Sequence, residues 1–362
     1  RHLNLKIQIK NIIHELNGKF IKIVFNQKIS PIMLYPGIKN STVNFENFSY
    51  CHIIAEIGLN HNGSVDIAKE CIKNSVIAGC TYLKIQKRSP IDLTEESTLN
   101  NKFEKCPAFG SNQLQVRNRH EFTKEQYIEL VSYAEQLGAL LFTSVFDVPS
   151  LNFALDSNCK IIKIASHSNT NIELLKEINK HKLPSIMSTG GASIEEIDIA
   201  VDALDNCNLS LMHCVSAYPT PKDLASLSTI PFLHKRYGIP VGFSSHENGI
   251  SQSIAAVALG ASMIERHVTL SKTMEGLDHK ISLNFEELAS LRSHINNIVG
   301  SITIKKNIFQ EEYPSRFNYH VGVYALKDLK KGDELKIGEN IRLRQPAGDF
   351  RLNLTGLDVE NK

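Results

Sequence analysis

Short apolar segments alternate with helical stretches along most of the chain, and this alternation limits the fold more than any other feature. The intervening stretches repeat apolar residues with the ~3.6-residue period of a helix, as in 64–78, 121–137, 193–206 and 249–259. Eight strand and helix pairs predict a closed parallel (β/α)8 barrel, the TIM barrel. The predicted strands are 52–57, 80–86, 139–144, 160–165, 183–188, 209–214, 239–244 and 261–266.

The predicted strands are apolar almost throughout, which is typical of a parallel sheet covered on both faces. The short connections suit right-handed crossovers between neighbouring parallel strands. A doubly wound open sheet would give a similar pattern and remains the alternative.

The rest of the 362 residues divides into three further segments. Residues 1–50 are rich in Asn, Lys and Ile, and we expect this extension to cap the bottom of the barrel. The barrel itself is predicted to occupy 51–300 and to end in a helix at about 284–299. A linker at 301–315 then leads to a small β-rich domain at 316–362, with a truncation of that domain left open.

Composition excludes several classes of protein. With 40 basic and 38 acidic residues and no recurring basic face, we expect no nucleic-acid partner. Apolar runs fall short of the ~20 residues of a membrane span, and no secretion signal opens the sequence. Seven scattered cysteines without a CxxC pair favour reduced thiols. We therefore predict a cytoplasmic protein without a membrane partner.

Polar residues at strand ends are the first candidates for function, because active sites of such barrels lie at the C-terminal ends of the strands. Glu56 closes the first strand and leads into a Gly- and Asn-rich turn, although an ordinary turn capped by Asn62 would also explain it. Lys84 and Gln86 are two residues apart and therefore share one face of the second strand. A buried lysine is costly unless an anion meets it.

Further lysine and hydroxyl side chains end the other strands. Lys163 is followed by Ser166, and Ser188 and Ser244 end the fifth and seventh strands. Two lysines and several hydroxyls at one rim predict a phosphate or carboxylate site. Each lysine alone would equally suit an ion pair with a carboxylate of the barrel.

Two histidines lie at the ends of adjacent strands, His246 after the seventh and His267 after the eighth. Imidazoles at one height can hold a divalent ion and leave coordination positions open for catalysis. A histidine at the rim can also serve as a general base, so the sequence leaves both roles open, metal ligand and general base. Glu265 is expected to point away from His267 unless the strand has already turned. His213 and Cys214 are left out of the metal set.

Seven groups of short motifs follow one another along the barrel region. They are AEIGLNHNG (55–63), KIQ (84–86), KIAS (163–166), STG (188–190), HC (213–214) with YPTP (218–221), GFSSHE (242–247) and ERH (265–267). In this order they resemble the N-acetylneuraminate (sialic acid) synthase family. The resemblance extends from about residue 52 to 290, and the tail 316–350 resembles that family's antifreeze-like (SAF) domain.

The resemblance implies condensation of phosphoenolpyruvate with an N-acylated hexose, giving a nine-carbon 2-keto acid and phosphate. It implies Mn²⁺ at His246 and His267, with Mg²⁺ or Co²⁺ as alternatives. The residues implied to grip phosphate and carboxylate are Lys84, Lys163, Ser144, Ser166, Ser188 and Ser244; Ser144 occupies a position where the family usually has threonine. Those implied to orient the sugar or handle protons are Glu56, Gln86, Tyr218, Glu265 and Asp278.

Two positions depart from the family pattern. Ser168 stands where well-known members carry an acidic residue, so either another group handles the proton or Ser168 positions the water. Arg344 begins an RQPAG segment in place of an Arg-Pro-Gly type, through which the family's small domain reaches a partner's sugar site. The resemblance therefore implies a domain-swapped homodimer with Arg344 as a displaced sugar ligand.

Several functional alternatives remain open from the sequence. The acceptor is N-acetylmannosamine, its 6-phosphate, or a diamino-dideoxy sugar as in legionaminate and pseudaminate synthesis. A metal-dependent barrel hydrolase is a second class, and a catalytically inactive sugar-binding protein is a third.

Overall fold

A computed structural model of the chain describes residues 50–302, 306–349 and 353–360. The predicted N-terminal cap at 1–50 lies outside the described residues, apart from Tyr50. The chain divides into two compact units, with the boundary between Thr303 and Ile304.

The first unit is a closed barrel of eight parallel strands in sequence order, so the predicted (β/α)8 fold is confirmed. The strands are β1 His52–Gly58, β2 Tyr82–Lys87, β3 Leu140–Val145, β4 Ile162–Ile164, β5 Pro184–Ser188, β6 Asn208–Cys214, β7 Val241–Ser245 and β8 Met263–His267. The helices are α1 Val65–Ile77, α2 Pro90–Leu93, α3 Glu96–Leu99, α4 Gln113–Arg119, α5 Lys124–Gln136, α6 Val148–Asp156, α7 Ile172–His181, α8 Ile194–Ala203, α9 Thr229–Tyr237, α10 Ser251–Ala258 and α11 Phe285–Val299.

Burial on both faces explains the near-continuous apolar strands. Side chains of the sheet and of the inner helix faces form one continuous core, in which residues such as Leu83, Phe142 and Ile164 are fully buried. Each such side chain contributes roughly 1.5–3 kcal/mol through removal from water. The strands predicted from the sequence are therefore apolar because both of their faces are buried in one core.

Side-chain caps begin the main helices of the barrel. The Thr123 hydroxyl accepts from Gln126 N at the start of α5, and the Gln126 side chain accepts from Thr123 N in return. Asn284 and Glu287 form the same reciprocal box at the start of α11. These caps satisfy amide groups that the first turn of a helix leaves without partners.

The second unit contains two antiparallel strands, β9 Gly322–Ala325 and β10 Ile341–Arg344. Two short helices accompany them, α12 Tyr313–Tyr319 and α13 Gly356–Glu360. The assignment of this unit as an antifreeze-like domain stays a prediction. None of the helices in the described part of the chain is long and apolar enough to cross a bilayer. The seven cysteines are unpaired, and all but Cys207 are buried.

Candidate active site

The parallel register of the barrel brings polar residues to one level at the C-terminal ends of the strands. Glu56 of β1 is paired with Lys84 of β2 on one side and with His267 of β8 on the other. Ser144 of β3 is paired in the same way with Lys163 of β4. Side chains that are far apart in sequence therefore point into one space.

Lys84 is buried inside the barrel and is fully partnered. Its Nζ lies 2.6 Å from Oε2 of Glu56 and donates to the Ser144 hydroxyl at 2.8 Å. Oε1 of Glu265 is a second carboxylate oxygen, 3.8 Å away. Gln86 donates to the other oxygen of Glu56 at 2.8 Å and fixes that carboxylate.

Lys163 forms the matching half of the cluster. Its Nζ donates to the Ser188 hydroxyl at 2.5 Å and lies 4.0 Å from Oε2 of Glu265. Burial lowers the pKa of Lys163, and the Glu265 carboxylate opposes that shift. Burial by itself raises the pKa of Glu265, but Lys163 and Lys84 outweigh it and lower that pKa to about 2. The carboxylate is thus ionised at neutral pH.

The expected direction of Glu265 was wrong. Glu265 and His267 are two residues apart on β8, so both face the interior of the barrel, and it is Arg266 that points outward. Oε1 of Glu265 accepts from the Ser244 hydroxyl at 3.0 Å. Arg266 instead pairs with Glu247 at 3.2 Å on the outer side. His267 is still part of β8, so the regular alternation of the strand places it on the same face as Glu265, and no early turn is needed.

One cavity of about 570 Å³ opens at this end of the barrel. Thirteen of the fourteen side chains that the sequence put forward line it. They are Glu56, Lys84, Gln86, Ser144, Lys163, Ser166, Ser188, Tyr218, Ser244, His246, Glu265, His267 and Asp278. Arg344 is the remaining one; it ends β10 and belongs to the second unit.

The two histidines come from adjacent strands and line the cavity side by side, with ring centroids 5.5 Å apart. Nδ1 of His246 lies 3.3 Å from the Val215 carbonyl, which can only accept, so Nδ1 carries the proton and Nε2 keeps a lone pair. Burial, followed by the nearby His267, lowers the pKa of His246 to about 3. Nδ1 of His267 is buried and has no hydrogen-bond partner among the described residues.

These features fit a pair of imidazole ligands for a divalent ion. No cluster of three or more His, Cys, Asp or Glu side chains within residues 50–302, 306–349 and 353–360 is placed to bind a metal. The donor set that the chain offers is therefore two nitrogens beside an open, oxygen-rich cavity.

Tyr218 and Asp278 flank the histidines. The Tyr218 ring is 4.1 Å from the His246 ring, centroid to centroid, and is about half exposed to the cavity. Oδ2 of Asp278 lies 3.8 Å from Nδ1 of His267. Both side chains line the cavity.

Gly58, the last residue of β1, keeps space open beside Glu56. Its φ of +55° is a left-handed conformation that favours glycine. A Cβ there would lie 3.1 Å from Oε1 of Glu56 and 3.3 Å from both Gln86 Nε2 and His267 Nδ1. The glycine is needed for space as well as for backbone conformation.

Other residues noted in the sequence take up structural roles. The Ser168 hydroxyl donates to the Phe146 carbonyl at 2.9 Å and is buried away from the cavity, so it is not placed to position a water. The neighbouring His167 lines the cavity instead. Nε2 of His213 contacts the Ala225 carbonyl at 2.8 Å, whereas Cys214 lines the cavity.

The sequence reasoning missed a group of cations at the same cavity. Arg88, Lys105 and Arg117 line it together with Phe103 and Phe146. Arg88 lies two residues after Gln86, so the alternation of side chains along β2 was the signal that could have found it. Lys105 and Arg117 come from the long segment between β2 and α5, where no periodicity points to a site.

Comparison with known proteins agrees with this geometry. The sequence profile of the NeuB family matches residues 71–306. The chain belongs to the NeuB family. N-acetylneuraminate-9-phosphate synthase of Drosophila melanogaster is 33% identical over 342 residues, covering 85% of this chain and 91% of that protein. N,N'-diacetyllegionaminic acid synthase of Campylobacter jejuni is 34% identical, covering 82% and 90%.

A solved structure agrees with the sequence relatives. N-acetylneuraminic acid (sialic acid) synthetase of Leptospira borgpetersenii, solved with citrate, is 33% identical with a TM-score of 0.65, covering 74% of this chain and 90% of that one. This NeuB-family chain is therefore a phosphoenolpyruvate-dependent condensing synthase of the sialic acid type, as the sequence predicted. The relatives differ in the sugar that their names imply, so the acceptor requires a separate argument.

Proposed function

We propose that the enzyme joins phosphoenolpyruvate to the aldehyde of an open-chain N-acylated hexosamine, the N-acetylmannosamine class of acceptor. The observation that carries the proposal is the buried cluster of Lys84 and Lys163 with the hydroxyls of Ser144, Ser188 and Ser244. Ammonium and hydroxyl donors that converge in a desolvated cavity recognise the phosphate and carboxylate of a small trianion.

The residues of the cluster support a condensation in a defined order. The enol carbon of phosphoenolpyruvate attacks the aldehyde carbon, the new carbon–carbon bond forms, and the aldehyde oxygen takes a proton to become a hydroxyl. Water adds to the cationic carbon that remains and loses a proton. The carbon–oxygen bond to phosphate then breaks, which leaves the 2-keto acid.

Glu56 and Glu265 are assigned to holding the lysines and to proton transfer. Each carboxylate lies within 4.0 Å of an ammonium group, so the lysines stay oriented before the substrate arrives. Fixed charges that need no rearrangement stabilise developing charge most effectively. Gln86 fixes Glu56, and Tyr218 and Asp278 at the mouth are assigned to orienting the sugar.

His246 and His267 are assigned to holding a divalent cation, with Mn²⁺ preferred and Mg²⁺ or Co²⁺ as alternatives. The lone pair on His246 and the unpartnered buried nitrogen of His267 support this assignment. When bound, such an ion acts as a Lewis acid that polarises the aldehyde. Of the two residues that would hold the ion, His267 is paired in register with Glu56 of β1.

The second unit is assigned to an antifreeze-like domain that reaches the partner's site in a domain-swapped homodimer, with Arg344 as a sugar ligand. This assignment rests on the resemblance of residues 316–350. The unpaired cysteines suit a reducing compartment, and we propose that the enzyme acts in the cytoplasm.

The proposed function is tested by phosphate release with phosphoenolpyruvate, Mn²⁺ and N-acetylmannosamine. We expect release that depends on both substrates, and loss of turnover in His246→Ala and His267→Ala. Isothermal titration of Mn²⁺ into the wild-type and variant proteins provides a readout independent of turnover. Unchanged Mn²⁺ binding in both variants would contradict the metal assignment. Amide or ester hydrolysis without phosphoenolpyruvate would favour a hydrolase instead.

A further inference from the structure

Three cationic residues at the cavity mouth have no role in the condensation described above. Arg88 follows β2, Lys105 lies in the loop before α4, and Arg117 lies on α4. We name these three residues the cationic wall. They line the same cavity as the two buried lysines but lie above the strand ends, on the segment between β2 and α5.

Carboxylates neutralise the cationic wall only in part. Glu121 lies 3.8 Å from Nε of Arg88, but its nearer partner is Lys87 at 3.0 Å. Nε of Arg88 is buried and meets no hydrogen-bond acceptor among the described residues. Within the described part of the chain, neither Lys105 nor Arg117 has a carboxylate at ion-pair distance; Arg117 donates to the Thr94 hydroxyl at 2.6 Å.

The wall is attached to the catalytic cluster by direct contacts. The Arg88 guanidinium lies over the Phe146 ring, 4.3 Å from its centroid, and its Nη2 donates to the Gln86 side chain. Gln86 in turn donates to Glu56. Residues 84 and 88 are at most about 13 Å apart along extended chain, so one sugar can contact both regions.

A smaller cavity of about 130 Å³ adjoins the main one at the wall. Arg88, Arg117, Phe103, Leu59 and Leu277 line both cavities. Arginine is the side chain best suited to phosphate, because its planar donors bind two oxygens at once. Glu121 also lines the smaller cavity, but its carboxylate is paired with Lys87 at 3.0 Å, so the two arginines keep donors for a compact anion.

We propose that the cationic wall binds a phosphate monoester on the acceptor sugar, at the end of its chain remote from the aldehyde. The inference rests on the proposed function, because the proposed condensation requires the sugar aldehyde to lie at the cluster of Lys84 and Lys163. Phosphoenolpyruvate fills the donors of Lys84 and Lys163, and the extended sugar then reaches the mouth. A sugar with a second acylamino group would leave the arginines without an anion there.

The positive potential of the wall also affects its neighbour. Burial lowers the pKa of His167, and Arg88 and Arg117 lower it further. His167 is consequently a neutral side chain at the edge of the proposed phosphate site at neutral pH.

The test compares N-acetylmannosamine with N-acetylmannosamine 6-phosphate by the rate of phosphoenolpyruvate consumption. We expect the phosphorylated sugar to have the higher kcat/KM. Arg117→Gln should reduce the ratio of the two kcat/KM values by roughly 10- to 100-fold, the loss expected for one hydrogen bond to a charged group. Lys105→Gln, an exposed position, should act in the same direction with a smaller effect.

Arg119→Gln is the matched control, because Arg119 is on the same helix but packs over Phe109 and does not line either cavity. It should leave the ratio unchanged. A higher kcat/KM for the unphosphorylated sugar or for a diacetamido hexose would overturn the inference while the proposed function stands. So would an Arg117→Gln effect confined to the KM for phosphoenolpyruvate.

Consumption with none of the sugars would overturn the proposed function. Isothermal titration of N-acetylmannosamine 6-phosphate then decides the inference by itself. Binding that Arg117→Gln weakens and Arg119→Gln preserves would support it. Absence of binding to the wild-type enzyme would overturn it.

Discussion

The lysine cluster and the cationic wall line one cavity but neutralise their charges in different ways. Lys84 and Lys163 are buried on strands, and each contacts a hydroxyl and a carboxylate of the chain itself. Lys105 and Arg117 lie on a loop and a short helix near water, and within the described residues no carboxylate lies at ion-pair distance from either.

The difference follows from the cost of desolvation. A charge inside the barrel leaves water when the protein folds, so the sequence must supply its partner in advance. A charge at the mouth stays hydrated until a ligand arrives, and the ligand can supply the partner. Paired buried cations are therefore preorganised before a substrate arrives, whereas unpaired mouth cations remain available to the anion proposed above.

Lys84→Met removes one of the two buried, paired lysines and should have the largest effect. We expect kcat/KM for phosphoenolpyruvate to fall by about 10²–10³-fold, because a preorganised donor is lost. Removal of one partner from a buried pair should also reduce the free energy of unfolding by about 3–5 kcal/mol. Phosphate release and chemical denaturation measure the two effects.

Lys69→Met provides the control for that experiment. Lys69 contacts Glu129 at 2.5 Å, but both side chains are substantially exposed at the surface. We expect no measurable change in stability or turnover. Equal stability of the two variants would contradict the expected cost of leaving the buried Glu56 carboxylate without its cation.

Gly58→Ala tests whether the cluster depends on its spacing, and the expected effect is smaller. The added Cβ would crowd Glu56, Gln86 and His267, and displacement of such groups can cost about 10²-fold in kcat. Gly238→Ala is the matched control, because Gly238 has φ +67° and open space around it. Both variants should lose similar stability, and loss of turnover in both would contradict a specific role for Gly58.

The acid response of the barrel gives the smallest predicted effect. Lys163 and Lys84 hold the pKa of Glu265 well below its usual range, so the lysine cluster keeps this charge in acid, whereas burial lowers the pKa of His61, in the turn after β1, to about 3. An unfolded histidine binds a proton near pH 6.5. Between pH ~3 and ~6.5 the unfolded state therefore binds more protons than the folded state. His61 consequently destabilises the fold as the pH falls from 7 towards 3.

His61→Asn removes this titration and can still accept from Gly63 N, as Nδ1 of His61 does at 3.0 Å. We expect the free energy of unfolding to fall less steeply between pH 7 and 5, by up to about 1.4 kcal/mol per pH unit. Urea denaturation across that range measures the slope. An unchanged slope would mean that His61 titrates alike in both states.

The predictions from sequence were most accurate where a simple period or strand parity governs position. Each barrel strand begins and ends within two residues of its predicted segment. Lys84 and Gln86 share a face as alternation requires, and Glu265 was misplaced because the same two-residue alternation was not applied to Glu265 and His267. Local rules determine these features because neighbouring residues on one strand alternate between two faces.

Only the tertiary structure decided which residues meet. Closure of the barrel brings His267 of the last strand beside Glu56 of the first, a contact that no local pattern contains. Arg117 reaches the same cavity from a helix with no recognisable periodicity toward it, and Ser168 turns its hydroxyl to a backbone carbonyl. The sequence by itself determined the barrel and its ring of lysines and hydroxyls, because burial and period are encoded locally. Their partners depend on long-range closure, which is a property of the whole folded chain.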